Sequence, residues 1–306
     1  MRLVSFRGEG GAIRSGILDG DTVIDLAAAA PLVMADGETL RWDMLSLLRA
    51  DQDGVSTGGA EEILVSVRES FAQMGMADED LQYAAGFVET GHALVLPLAQ
   101  VSLVPPLPVP ASLREYVATP RPGELLPFRF ANHQALLGAQ QALFAPAAGL
   151  AAIPSIGVII GRGGRSIERE DAFEHIAGLV LLNCWQRIPP AARRPRDLPT
   201  SCGPWLVTPD ECEMYRDDDG LYSLDVSIWA DDQLRARVNA RSAGFDPVLM
   251  VADASLDVDL LPGDLISWPL FPAADPDDEN GALRFAWGTT VVVRATGLGS
   301  IETTLD

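Results

Sequence analysis

The sequence predicts an α+β fold that is mainly β, with a small N-terminal α/β domain over 1–104 and a larger β domain over 111–306. Three observations predict it. Near the start, short strand-like stretches are followed by two helical patterns. A proline-rich stretch, Pro105, Pro106, Pro108 and Pro110, then breaks the chain as a stiff linker. Beyond it glycine, proline and β-branched residues dominate and long helical patterns are few, as in mixed or barrel-like β domains.

Residues 2–6, 12–18 and 22–25 read as strands, with Asp19, Gly20 and Asp21 as a hairpin turn. Apolar residues at helical spacing predict helices over 42–48 (Trp42, Leu45, Leu48) and 60–74 (Ile63, Leu64, Val67, Phe71, Met74). Residues 94–96 and 101–103 read as short strands before the linker. After it, 153–161 is a buried strand running into a glycine-rich turn, with 156–160 apolar throughout. Residues 168–175 form a short helix that Ser166 caps, with Glu168 and Glu170 in its first turn. Residues 179–183 are another buried strand, and 224–229 and 234–238 are strands around Asp231 and Asp232. Residues 245–252 are helical, 262–264 a turn, and 265–268, 285–289 and 291–295 strands. No internal repeat is evident.

Composition excludes several function classes. The chain has 306 residues, 43 acidic against 22 basic, for a formal net charge of −21. Nucleic acid and anionic membrane both require a basic surface, so neither is an expected partner. A local cluster such as Arg193, Arg194 and Arg196 is read either as a small-anion site or as a solvated loop. Cys184, Cys202 and Cys212 form neither a disulfide framework nor a CxxC pair, which fits a reducing cytoplasm. Met1 to Gly8 has no apolar signal segment, and proline, glycine or glutamine interrupts every long apolar run, so no transmembrane helix is expected. Acidic runs at 217–219 and 275–279 lack calcium-loop spacing and read as solvated loops. The stretch 161–165 lacks the order of a phosphate loop and reads as a turn.

A set of stretches in order along the chain carries a family resemblance: MRLVSF at 1–6, GDTVIDL at 20–26, SLREY at 112–116, PFRFANH at 127–133, VIIG at 158–161, DAFEHIAG at 171–178, CGPWLVT at 202–208, LRAR at 234–237 and LPGD at 261–264. Through them the chain resembles the fumarylacetoacetate hydrolase family over nearly its whole length. The resemblance implies a mixed β-roll after a small N-terminal domain, and a homodimer. It also implies a site where an Asp, a Glu-x-Glu pair and a further Asp hold a divalent metal that polarises a 2-oxo acid or β-diketone. A hard cation wants carboxylate oxygens and stabilises the enolate that forms.

Carried over by residue, the first Asp falls at Glu115, the Glu-x-Glu pair at Ile153 and Ser155, and the further Asp at Cys184. The lid histidine falls near Thr119, Pro120 and Arg121, where no histidine stands; the lysine falls near Arg194 or Arg196; a late Gly-Thr-Pro turn is replaced by Ser267, Trp268 and Pro269. Glu115, Cys184 and Ser155 make a poor magnesium or calcium set, and His92, His133 and His175 lie far apart. No metal and no other cofactor is therefore expected.

The candidate catalytic residues are Glu115, His133 and Cys184. Glu115 and His133 are read as proton-transfer groups. Cys184 is either a nucleophile or a buried apolar side chain, and His133 and His175 are each open to a packing role. Tyr116, Ser155, Trp185, Gln186 and Arg187 are the candidate substrate-binding residues: Gln186 and Arg187 to orient a carboxylate or carbonyl, Tyr116 and Trp185 to hold a planar ligand or to fill the core. The expected ligand is a small carbonyl or carboxylate compound. The leading reading is a metal-independent isomerase, cyclase or decarboxylase of an oxo compound in specialised metabolism. The alternatives are a non-catalytic binding or assembly protein and a metal-dependent acylpyruvate-type C–C hydrolase.

Overall fold

The computed structural model describes residues 1–33, 42–50, 59–74, 93–116, 127–144, 149–187, 197–271 and 283–306. In chain order, β1 (Arg2–Arg7), β2 (Ile13–Asp19) and β3 (Thr22–Asp25) form an antiparallel meander. Gly20 makes its tight turn at φ +57°, and the Thr22 hydroxyl donates to the Asp19 carbonyl at 2.8 Å. Helices α1 (Leu26–Ala29), α2 (Met44–Ala50) and α3 (Ala60–Gln73) follow. Asp25 caps α1, accepting from the Ala27 and Ala28 amides, and ion-pairs with Arg14 at 3.0 Å. The apolar stripe of α3 buries Ile63, Val67 and Phe71.

Next come β4 (Val95–Pro97), β5 (Ser102–Val104), β6 (Ser112–Tyr116), β7 (Phe128–Phe130) and β8 (Leu136–Leu137). The long strands β9 (Leu150–Ile160) and β11 (Ile176–Arg187) flank β10 (Gly164–Arg165). Then β12 (Thr200–Cys202), β13 (Leu206–Val207), α4 (Pro209–Cys212), β14 (Asp225–Ala230), β15 (Gln233–Asn239) and α5 (Pro247–Ala254) follow. The chain closes with β16 (Asp259–Leu260), β17 (Asp264–Pro269), β18 (Arg284–Phe285), β19 (Thr290–Ala295) and β20 (Gly299–Thr304).

The large sheet runs β4-β3-β2-β1-β13-β11-β9-β17-β6-β7, and a separate antiparallel sheet runs β15-β14-β19-β20. The mainly β, α+β class expected from the sequence is the class observed. Successive side chains of the central strands feed two cores on opposite faces. One face packs Leu113, Ile159, Val180, Leu182 and Leu265 against the N-terminal segment. The other packs Tyr116, Ile156, Val158, Trp185 and Trp268 inside the roll formed with the second sheet. Full burial on both faces explains the unbroken apolar character of 156–160.

Several expectations change. The proline-rich stretch is packed rather than an open spacer: Leu107 is buried, and the Ser5 hydroxyl donates to the Pro106 carbonyl at 2.6 Å. The N-terminal strands continue into the central sheet, because Arg2 and Leu3 of β1 pair with Val207 and Leu206 of β13. The helix expected over 168–175 is only a 3-10 turn, Ala172–His175, and Ser166 caps nothing; it takes φ +48°. The strand expected over 285–289 stops at Phe285 because Gly288 turns the chain at φ +78°. Strands β6, β7 and β20 were not expected; β6 is short and polar, and tertiary pairing carries it. Pro154 sits inside a central strand at the end of its pairing with β17. Its carbonyl accepts from the Leu270 amide just past the end of β17, and the reciprocal bond, which a proline nitrogen cannot donate, is forgone there. Among the described residues no helix is long and apolar enough to cross a membrane.

Candidate active site

Four neighbouring strands of the large sheet converge polar side chains on the face that meets the N-terminal segment. The register aligns Glu115 of β6 with Ser267 of β17, Ser267 with Gly157 of β9, and Gly157 with Val180 of β11. Two residues along, Ser155 lies opposite Leu182, and Ile153 opposite Cys184. The two-residue period then puts Glu115, Ser267, Ile153, Ser155 and Cys184 on one face. Gly157 gives room beneath them: a Cβ there would lie 2.8 Å from terminal methyls of both Leu182 and Leu265, which would have to shift.

Side-chain contacts close this group. The Cys184 sulfur lies 3.6 Å from the Ser267 hydroxyl and 4.0 Å from that of Ser155. Ser155 donates to the Ile153 carbonyl at 3.0 Å. The Glu115 carboxylate is close enough for its charge to act on the Cys184 thiol, and Arg129 of β7, opposite Glu115 in register, donates from Nε to that carboxylate at 3.2 Å. Glu115, Ser155, Cys184 and Ser267 are all buried, whereas the Arg129 side chain is 36% exposed. Burial, then the charge of Glu115, pushes the Cys184 thiol well above the ordinary thiol range, against the opposing pull of the Ser267 and Ser155 hydroxyls. The thiol therefore stays protonated at neutral pH.

These donors do not fit a hard divalent cation. Such an ion takes about six to eight oxygen ligands, several of them carboxylates. Among the described residues one carboxylate, already bonded to a guanidinium, stands beside two hydroxyls, a protonated thiol and the alkyl chain of Ile153. Among the described residues no group of three or more His, Cys, Asp or Glu converges as a metal-holding set.

The other expected residues divide by face and position. Tyr116 and Trp185 are one residue out of phase with Glu115 and Cys184, so they point into the roll. The Tyr116 hydroxyl donates to Asp253 at 2.7 Å, and its ring packs against Trp268. The Trp185 indole donates to the Ser201 hydroxyl at 3.0 Å. Neither is brought to the polar group, and both serve the core. Gln186 shares the Cys184 face at the half-buried end of β11. Arg187 follows it and donates to the Asp197 carbonyl at 3.2 Å. His133 lies in a segment that crosses this face from β7 to β8: the Ala131 amide bonds the Leu113 carbonyl, the Thr200 amide bonds the Ala135 carbonyl, and Ala131 and Leu136 pack into that core. It is half-buried, and no hydrogen bond ties it to the polar group. His175 is buried, its Nδ1 against the Arg162 carbonyl at 2.8 Å. Thr119, Pro120, Arg121, His92, Arg193, Arg194, Arg196 and residues 275–279 lie outside the described residues.

Two members of the group, Arg129 and Ser267, were missed. The signal for Arg129 was a charged residue alternating with Phe128 and Phe130; for Ser267 it was a hydroxyl in phase with Leu265.

Comparisons with known proteins come from two directions. The sequence profile described as fumarylacetoacetate (FAA) hydrolase C-terminal matches residues 111–306. Among solved structures, the chain is similar to maleylpyruvate hydrolase from Sphingobium sp. SYK-6 in complex with manganese(II) ion and pyruvate. The identity is 25%, covering 100% of this chain and 98% of that one, with a TM-score of 0.67. It shares its fold with a probable 2-hydroxyhepta-2,4-diene-1,7-dioate isomerase from Mycobacterium abscessus (19% identity, 100% and 98% covered, TM-score 0.68). It does so too with fumarylacetoacetate hydrolase from Exiguobacterium antarcticum (18% identity, 100% and 99% covered, TM-score 0.67). No curated protein sequence matches the chain.

Proposed function

The chain belongs to the fumarylacetoacetate hydrolase family, and from that premise we propose that it is a metal-independent enzyme that moves a proton on a small oxo compound, isomerising, cyclising or decarboxylating it. The observation that carries this reading is the buried Glu115–Cys184 pair with Arg129 beside it. Proton transfer needs one group that accepts and another that donates at working pH. The Glu115 carboxylate takes the proton α to the carbonyl, and the protonated Cys184 thiol returns one to the developing enolate. Arg129 bonds Glu115 through Nε, which leaves its two terminal nitrogens to hold a carboxylate or the enolate oxygen. Such a cation supplies locally the charge stabilisation that a metal would supply. His133, Gln186 and Arg187 belong to the same reading as a second proton-transfer group and two oxygen-orienting groups. Tyr116 and Trp185 drop out of it. Ser155 stays, as a hydroxyl that polarises the thiol.

The polarity of the group supports an enzyme. Burying a carboxylate, two hydroxyls and a thiol costs free energy that an apolar filling would avoid. The ligand class follows from the neighbour that holds pyruvate. A second reading, a non-catalytic binding protein, draws on a different observation: Ile153 and Cys184 are themselves buried and fill the face.

The test assays purified protein, with and without chelator, for oxaloacetate decarboxylation, enol–keto exchange of 2-oxo acids in deuterated water, and acylpyruvate cleavage, alongside metal analysis. Exchange or decarboxylation that chelator leaves intact is expected, falling roughly 10²- to 10⁴-fold in Glu115→Gln. One tightly held ion per chain, lost in Glu115→Ala, would return the protein to metal-assisted hydrolysis. Absence of turnover on all three, with pyruvate still binding, would select the non-catalytic reading.

A further inference from the structure

The second sheet turns one face into the roll and leaves the other open. On the open face the register sets Ser227 of β14 between Arg237 of β15 and Arg294 of β19. One step along β14, Trp229 lies beside Leu234 and Val292. A β-bulge between Ile228 and Trp229 shifts the register there. A depression of about 300 Å³ forms over these residues, closed at one end by Asp225 and Thr296.

The side chains are arranged to present donors. The Arg294 guanidinium carbon lies over the Trp229 ring, 5.6 Å from its centroid. Among the described residues Arg294 has no carboxylate partner, although the chain carries 43 acidic residues to 22 basic. The Ser227 oxygen accepts from the Trp229 indole at 3.1 Å, so its own proton is free to donate outward. Arg237 bonds Asp225 through one terminal nitrogen at 2.6 Å, leaving further donors, and its side chain is 64% exposed. The second Asp225 oxygen accepts from Asn239 at 3.0 Å, so this acid is spoken for by neighbours. Two guanidiniums and a hydroxyl thus share one row, with Asp225 paired to Arg237 at its edge and Glu302 of β20 one step along the same face.

We propose that this open face binds a small oxyanion, a carboxylate or a phosphate, gripped between Arg294 and Arg237 above Ser227. Bidentate guanidinium contacts suit either group. The site lies on the separate sheet and does not depend on the catalytic reading.

The experiment follows arginine Nε–Hε signals of the full-length protein by NMR during titration with inorganic phosphate and, separately, malonate, against sodium chloride at matched ionic strength. Saturable shifts of the Arg294 and Arg237 signals are expected, with affinity falling roughly tenfold in Arg294→Gln and by less in Ser227→Ala. The probe that saturates first identifies the source, phosphate or carboxylate. Arg165→Gln, on β10, leaves binding unchanged and controls for charge alone. Shifts that sodium chloride reproduces mean screening, and they overturn the proposal. So does an affinity that Arg294→Gln leaves intact while the remaining spectrum stays native.

Discussion

The same four strands show two chemistries, one on each face. Toward the roll they carry Tyr116, Trp185 and Trp268, closely packed, with each polar tip bonded to a fixed partner. Toward the N-terminal segment they carry Glu115, Ser155, Cys184 and Ser267, bonded chiefly to one another and to Arg129. One residue of phase separates a scaffold side chain from a candidate reactive one. The difference teaches that nearness in sequence is a poor guide here: Cys184 and Trp185 are adjacent in the chain and serve opposite cores.

The contrast can be broken by substitution. Trp185→Ala leaves a large cavity and strips the Ser201 hydroxyl of its donor, so a loss of about 3–5 kcal/mol is expected in urea unfolding. Cys184→Ala removes one sulfur beside hydroxyls that can rebond, so its loss should stay well below that of Trp185→Ala. Equal losses would mean that the polar face is ordinary core.

Rebuilding sharpens it next. The triple variant Ile153→Glu, Ser155→Glu, Cys184→Asp places three more carboxylates on the Glu115 face. Calorimetric titration with manganese should then show binding at least roughly tenfold tighter than in the parent chain. A folded triple variant with unchanged binding would show that these positions do not converge as the register places them.

The smallest effect is a pH dependence shared by both faces. Cys202 lies on the N-terminal side and Cys212 on the roll side, and burial pushes each thiol up to about 12. An unfolded thiol ionises near about 8.5. The folded state therefore keeps its protons longer. This contribution is complete below about pH 8.5 and is lost as pH rises toward the folded values. Unfolding free energy should fall over that window, and the slope should flatten in Cys202→Ala/Cys212→Ala. A slope indifferent to both would mean that neither thiol is sequestered.

Much of the scaffold was legible. Alternation marked β14 and β15, a strand-like stretch marked β1, helical spacing marked α3, and the unbroken apolar run marked β9. The helix expected over 245–252 is α5, which starts two residues later, where Asp246 accepts from the Leu249 amide at 2.9 Å. The failures were short elements held by distant partners: β6 exists because β17 and β7 pair with it. In the site, Glu115, Ser155 and Cys184 were named in advance, whereas the alternation of Arg129 with Phe128 and Phe130 marks a strand without saying that it returns beside Glu115.

By itself the sequence determined the class of fold, the acid excess, and the types of side chain at the candidate site, because these depend on composition and on local period. Tertiary structure alone decided which face each side chain meets and which charge sits beside which, because pairing register sums over strands far apart in the chain. Among the described residues, a guanidinium beside Glu115, in place of further carboxylates, is the product of that register. If those two side chains were found apart, or if oxygen ligands from elsewhere gathered at Glu115, the proton-transfer reading would fall with them.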